Sequence, residues 1–298
     1  MKVTGKSLKD IYNEADETSK KNAAVCRRFT AASSMIATGI TIAFLLYDEA
    51  SLYWMVIVCG LLLLAIYGIF RIANRMSCHR KYLENRLLAE GLRVQEYLFK
   101  AGIRRSVASL VPWAWRHDFP ESLAVLEKVY KTCKGSVPAE PLNDLLTYWV
   151  REQKDYHLSA LARTKKKLVT NSRIVGIATV ITIIVYICTL AFEIVWGGMF
   201  GTVIETDPVT VEMMRTVSKV AVGSLSAATL FAGAYYGKFS LDDTLAGHER
   251  MAALFEKVES ENAEGLSRDA VIKLAVEELN ENITWYAFQS KNGPEINL

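Results

Sequence analysis

Four stretches of the chain are uncharged and strongly apolar, and polar, helix-patterned sequence fills the space between them. They run 29–47, 50–70, 174–192 and 220–237. Each is close to the roughly 20 residues a helix needs to cross a hydrocarbon core. The fourth, VAVGSLSAATLFAGAYYG, is the shortest and is rich in Gly, Ser and Ala. Only Asp48 and Glu49 separate the first two, so a tight turn and an antiparallel hairpin are expected. A second hairpin is expected from the other pair, with a longer connection over about 195–215 holding Gly197, Gly198 and Gly201.

The segment after the second block, LENRLLAEGLRVQEYLF at 83–99, has the period of an amphipathic helix. At 100° per residue Leu83, Leu87, Gly91, Val94 and Leu98 share a sector, flanked by Leu88, Leu92 and Phe99. Arg86, Ala89, Glu90, Arg93, Tyr97 and Lys100 fall opposite. Arg86 and Glu90 are spaced for an i,i+4 pair on an exposed face. Glu84 and Gln95 sit inside the apolar sector, so each is expected to be buried against a partner or open to a ligand. A helix with half its circumference apolar must pack on its own chain, on a second copy or on a membrane surface. The segment 245–254, LAGHERMAAL, occupies the matching place after the fourth block, and the helix near 245–258 is the expected partner. The shared order of hairpin then amphipathic helix suggests an internal duplication.

Between these parts Pro112, Pro120, Pro138 and Pro141 interrupt the chain. A short helix is expected near 121–133, and another is expected to open at Pro141 and run into the third apolar block. Its Leu142, Leu145, Trp149 and Tyr156 keep helical spacing. Trp113 and Trp115 have two open uses, capping a helical bundle or touching a headgroup layer.

Charge fixes a direction. Lys20, Lys21, Arg27 and Arg28 precede the first block, and Arg71, Arg75, Arg80 and Lys81 follow the second. Arg163, Lys165, Lys166, Lys167 and Arg173 precede the third, and Lys238 follows the fourth. The opposite edges carry Asp48 and Glu49, then Glu193, Glu205, Asp207 and Glu212 against Arg215 and Lys219. Lys and Arg concentrate on cytoplasmic flanks. The expectation is an all-α membrane protein of two transmembrane hairpins, 29–70 and 174–237, plus a cytoplasmic helical bundle. The bundle draws on an N-terminal segment 1–28, a central region 71–173 and C-terminal helices 238–298. Both termini are then cytoplasmic.

Composition narrows the chemistry. Residues of hydrophobic type make up 51% of the 298, while net charge is only +3, so the balance does not point to nucleic acid. Cys26, Cys59, Cys78, Cys133 and Cys188 contain no CxxC pair and suit a reduced compartment. The polar first 28 residues lack the apolar core of a signal peptide. Phosphate-binding, nucleophile-elbow, zinc-protease and EF-hand patterns are missing, and His79, His117, His157 and His248 lie far apart. No enzyme, cofactor or metal is therefore expected. His117 beside Asp118 reads as a solvated loop rather than a base with its orienting acid.

Inside the blocks, Gly233 and Gly237 form GxxxG, and Ser226 and Thr229 lie beside it. Ser34, Thr38 and Thr41 give the first block a similar face. Two readings stay open, close helix packing through small residues or a hydroxyl-lined path for water or small ions. Glu193, near a block edge, is read as interfacial rather than as a buried functional charge.

The run HRKYLENRLLAEGLRVQEYLF resembles bacterial SLATT domains, the two-transmembrane effectors associated with SMODS and SLOG proteins. YWVREQKDYH (148–157), HERMAALFEKV (248–258) and IKLAVEELNENITWYAF (272–288) resemble the second half of the four-span, duplicated form. The resemblance covers about 50–290. It implies a bacterial inner-membrane effector of a defence system, an oligomer that permeabilises the membrane on a nucleotide signal or infection cue. Nothing in this chain resembles a SLOG or TIR sensor, so the trigger would act on the helical part or through a separate sensor protein. Membrane lipid and further copies of the chain are then its partners. In that scheme Glu84, Leu87, Val94 and Gln95 mark a coupling helix. The alternatives are a housekeeping ion channel or small-solute transporter, and a non-conducting membrane scaffold.

Overall fold

The computed structural model describes residues 5–133, 135–196, 207–237, 241–262 and 265–291, and among these every regular element is a helix. The loop glycines Gly197, Gly198 and Gly201, with Glu205 and Lys238, lie outside the described residues. Among the described residues four helices are long and apolar enough to cross a membrane.

α1, Leu8–Asp48, is a single helix. At 1.5 Å per residue it is about 60 Å long. Ser7 opens it. The Ser7 Oγ accepts the Asp10 amide at 3.2 Å, and the Asp10 carboxylate accepts the Ser7 amide at 3.2 Å. Two of the free amides at the helix start are thereby satisfied. α2, Met55–Met76, begins five residues later than the apolar pattern suggested. Ser51, at φ 53°, turns the chain there. One residue, Ser77, separates α2 from α3, Cys78–Lys100, and takes left-handed φ 48° and ψ 40°. That local reversal breaks what would otherwise be one helix.

α4, Val107–Leu110, and a tight 3-10 turn, Trp113–Trp115, lead to α5, Pro120–Cys133. Pro120 stands in the first turn, where its missing N–H costs nothing. α6, Leu142–Leu145, passes through a wider π turn, Leu146–Arg151, into α7, Glu152–Val195. The wide turn shifts the helical register. Leu145, Leu146, Trp149 and Val150 therefore all become buried, while Tyr156 stays exposed. α8, Pro208–Gly237, α9, Leu241–Glu261, and α10, Arg268–Lys291, complete the described chain.

The helices fall into two compact units. Unit 1 takes 1–26, 77–166 and 241–298, and unit 2 takes 27–76 and 167–240. The main core of unit 1 gathers Ile11 of α1, Leu92 and Leu98 of α3, Val129 of α5, Trp149, Phe255 of α9 and Leu274 of α10. A smaller cluster joins Leu87, Val111, Phe119 and Ile283. The expected partner of α3, the helix near 245–258, is not its main neighbour. α3 packs chiefly on α10 and α5, whereas α9 packs on the π turn and α10.

Unit 2 holds the apolar parts of α1, α2, α7 and α8. Between 0 and 11% of each apolar window is buried, so the unit presents aliphatic surface on nearly every side.

Candidate functional site

α3 is the element to which the sequence attached a coupling role, and its apolar sector turns inward within unit 1. Leu87, Val94 and Gln95 are all buried. Gln95 closes the start of α4: its Oε1 accepts the Val107 amide at 2.8 Å and its Nε2 donates to the Arg105 carbonyl at 3.1 Å. The need to bury this glutamine is met inside the chain. Glu84 is half-buried, 3.6 Å from Arg80, and burial raises its carboxyl pKa.

The opposite face of α3 departs from the expected exposure. Ala89 and Glu90 are buried, Glu90 at 2% exposure, on a helix that packs chiefly against α10. Arg86 pairs with Glu90 there. Arg93 lies 2.6 Å from Glu90 and reaches Glu278 of α10, itself 1% exposed. Trp149 Nε1 donates to the second Glu278 oxygen at 3.0 Å, and Tyr97 stacks on the Trp149 ring with centroids 4.7 Å apart. Glu90, Arg93 and Glu278 are thus buried together and tie α3, the π turn and α10, while the partly exposed Arg86 closes one side and also approaches Asp16 at 3.8 Å. Burial works against the Glu90 carboxylate, but Arg93 and Arg86 outweigh it and hold its pKa below the usual value. Burial also works against the Arg93 charge, and Glu90 and Glu278 keep it protonated.

Beside this cluster two histidines that stand 91 residues apart meet. The Nδ1 atoms of His157 and His248 are 3.1 Å apart, so one ring donates and the other accepts. Phe255 stacks on His157 at 5.8 Å. Burial, then the neighbouring His248 and Arg93, push the His157 pKa down from 6.5 to about 4. Burial and Arg86 lower that of His248. Linear spacing carried no sign of this pair. No group of three or more His, Cys, Asp or Glu able to hold a metal occurs among the described residues. His117 lies in an exposed turn, 3.0 Å from Asp118.

In unit 2, Ser34 and Thr38 line a pocket of about 330 Å³ with Met35, Ala228, Phe231 and Tyr235. Ser226 and Thr229 are half-buried outside this lining. The Thr38 hydroxyl donates to the Ser34 carbonyl at 3.0 Å, and Thr41 donates to Ala37 at 3.1 Å. The close approach between α1 and α8 falls at Gly223, where an added Cβ would stand 2.7 Å from Leu45. It does not fall at Gly233, beside which a Cβ would meet nothing within 4 Å. Gly237 is the last residue of α8. Glu193 accepts two hydrogen bonds from Arg215, at 2.9 and 3.0 Å, and Lys219 meets Glu49 at 2.8 Å.

The chain matches no family model, and no curated protein or solved structure is significantly similar to it.

Proposed function

We propose that this chain is a multi-pass protein of the bacterial inner membrane that acts, as an oligomer, to permeabilise it. The apolar parts of α1 and α2, and of α7 and α8, are its two transmembrane hairpins, and unit 1 is its cytoplasmic bundle. The observation that carries the reading is continuity. α1 and α7 each run without a break from a unit built around buried ion pairs into apolar sequence of membrane-crossing length. A change in the packing of unit 1 has two unbroken helices along which to reach the spans.

Three further features support it. The basic edges of the four blocks all assign unit 1 to the cytoplasm. The uncovered side of Gly233 leaves a small-residue surface open to another copy. The resemblance to SLATT effectors supplies the setting, a defence system triggered by a nucleotide signal or by a separate sensor protein. Nucleic acid is not a partner in this reading, and no catalysis is involved.

The test is ion efflux from proteoliposomes holding the purified full-length chain. The expected result is efflux above that of empty vesicles, rising more steeply than linearly with copies per vesicle. Efflux equal to that of empty vesicles at every loading would overturn the proposal. A non-conducting scaffold is the second reading. It is favoured by Thr38 and Thr41, whose hydroxyls donate to carbonyls of their own helix.

A further inference from the structure

Trp113 is 84% exposed, more than any other large apolar side chain described, including Met35 at 75% in an apolar helix. An indole this bare outside the apolar helices needs an explanation. Two residues on, Trp115 turns inward and packs against the cluster of Leu87, Val111, Phe119 and Ile283. The tight turn at Trp113–Trp115 thus anchors one ring and presents the other.

Arg116 fixes that presentation. Its Nε donates to the Val111 carbonyl at 3.0 Å and its Nη2 to the Ser109 carbonyl at 3.1 Å. Its guanidinium lies 4.7 Å over the Trp113 ring. Arg105 joins the same patch through the Ser109 hydroxyl at 3.4 Å. The acid of the turn, Asp118, faces His117 at 3.0 Å. What results is a preorganised ring with cations at its edge. An indole has an apolar body and a polar N–H, and favours the boundary between acyl chains and headgroups. Arginines beside it favour anionic phosphates.

We propose that the turn 112–118 docks on the anionic headgroup layer of the membrane that the chain spans, with Trp113 entering the interface and Arg105 and Arg116 meeting lipid phosphates. The turn packs on Leu87, about 14 Å along α3 from Cys78. The chain enters α3 from the basic edge of its second apolar block through the single residue Ser77. This inference rests on the reading of the chain as membrane-spanning and does not need it to conduct.

The experiment reconstitutes the full chain into bilayers with brominated acyl chains, containing phosphatidylcholine alone or with added phosphatidylglycerol. Trp113 is read as the difference in emission between wild type and Trp113→Phe, a substitution its exposure makes harmless to folding. The expected result is a blue-shifted Trp113 component that bromine quenches, more strongly as phosphatidylglycerol increases. Arg105→Gln leaves the Arg116 clamp intact and weakens the hold about fivefold, so half-quenching needs more phosphatidylglycerol. A Trp113 component that stays unquenched in phosphatidylglycerol bilayers overturns the proposal, including one blue-shifted by a protein partner instead. A chain that does not enter the bilayers at all overturns the membrane reading and this inference with it. A quenched Trp113 in vesicles that show no efflux leaves this inference standing while the permeation proposal fails.

Discussion

Unit 1 buries Glu90 and Glu278 and links them through Arg93, which pairs with Glu90 one turn back on α3 and with Glu278 185 residues away on α10. Unit 2 does the reverse. Thr38, Thr41, Thr179, Thr182 and Thr189 each return their hydroxyl to a carbonyl four residues back. Its cross-helix ion pairs, Glu193 with Arg215 and Glu49 with Lys219, lie outside the four uncharged blocks. The difference follows from the solvent each unit is proposed to meet. A chain folding in water can desolvate charged groups together and recover the cost in one buried cluster. A helix in lipid must satisfy its polar groups within its own segment. Unit 1 should therefore be broken by removing one distant partner, and unit 2 should be insensitive to the same kind of change.

The sharpest way to break that contrast is Glu278→Leu. It leaves Arg93 with Glu90 alone and strips Trp149 Nε1 of its acceptor, so unit 1 is expected to lose about 3–5 kcal/mol. Glu193→Gln, at a partly exposed pair in unit 2, is expected to cost about 1 kcal/mol or less. Thermal unfolding followed by circular dichroism in detergent measures both. Equal losses would erase the distinction between the units.

The histidine pair gives the next effect. The folded chain holds His157 at about 4 against 6.5, so on acidification the unfolded chain takes up the proton first. Stability from this group is complete above pH 6.5, falls as pH drops toward 4 and is level below that. The loss is up to about 3 kcal/mol. A pH series of melting temperatures should show a shallower slope over this window in His157→Gln than in wild type, the remainder coming from groups such as His248.

Two glycines give the smallest effect. Gly91 faces the buried Leu126, with an added Cβ 3.0 Å from one methyl and 3.2 Å from the other. Gly223 faces the end of Leu45. Alanine gains up to about 1 kcal/mol over glycine within a helix, so the sign depends on which leucine can give way. Gly91→Ala should lower stability, since Leu126 is locked in the core of unit 1. Gly223→Ala should be neutral or slightly stabilising, since what a Cβ meets is the end of the flexible, only half-buried Leu45 side chain. The two variants' melting temperatures decide it.

The apolar half of the fold was legible because it is written in runs. The four blocks and the inward sector Leu83, Leu87, Val94 and Leu98 come directly from periodicity. The burial of Glu90 was not legible, since periodicity sees only apolar residues, and a face covered by α10 through ion pairs reads as solvated. The assignment of the helix near 245–258 as the partner of α3 failed for a related reason: matching position in a repeat does not decide which surfaces fit. His157 and His248 share no local pattern. Gln95 did carry a signal, a polar residue in an apolar sector, but its partner was the backbone of a nearby turn rather than a ligand. Leu87, Val94 and Gln95 serve the core of unit 1. Any signal that passes along α3 must move the whole helix rather than a contact made by these side chains.

Hydrogen exchange of the full chain in lipid nanodiscs, wild type against Glu278→Leu, tests the central claim most directly. The account predicts that the variant loses protection across unit 1, in α3, α5, α9 and α10. The apolar stretches of α1, α2, α7 and α8 should stay as protected as in wild type. A single cooperative loss of protection through both units, or the same rapid exchange in the apolar stretches of both proteins, would contradict it.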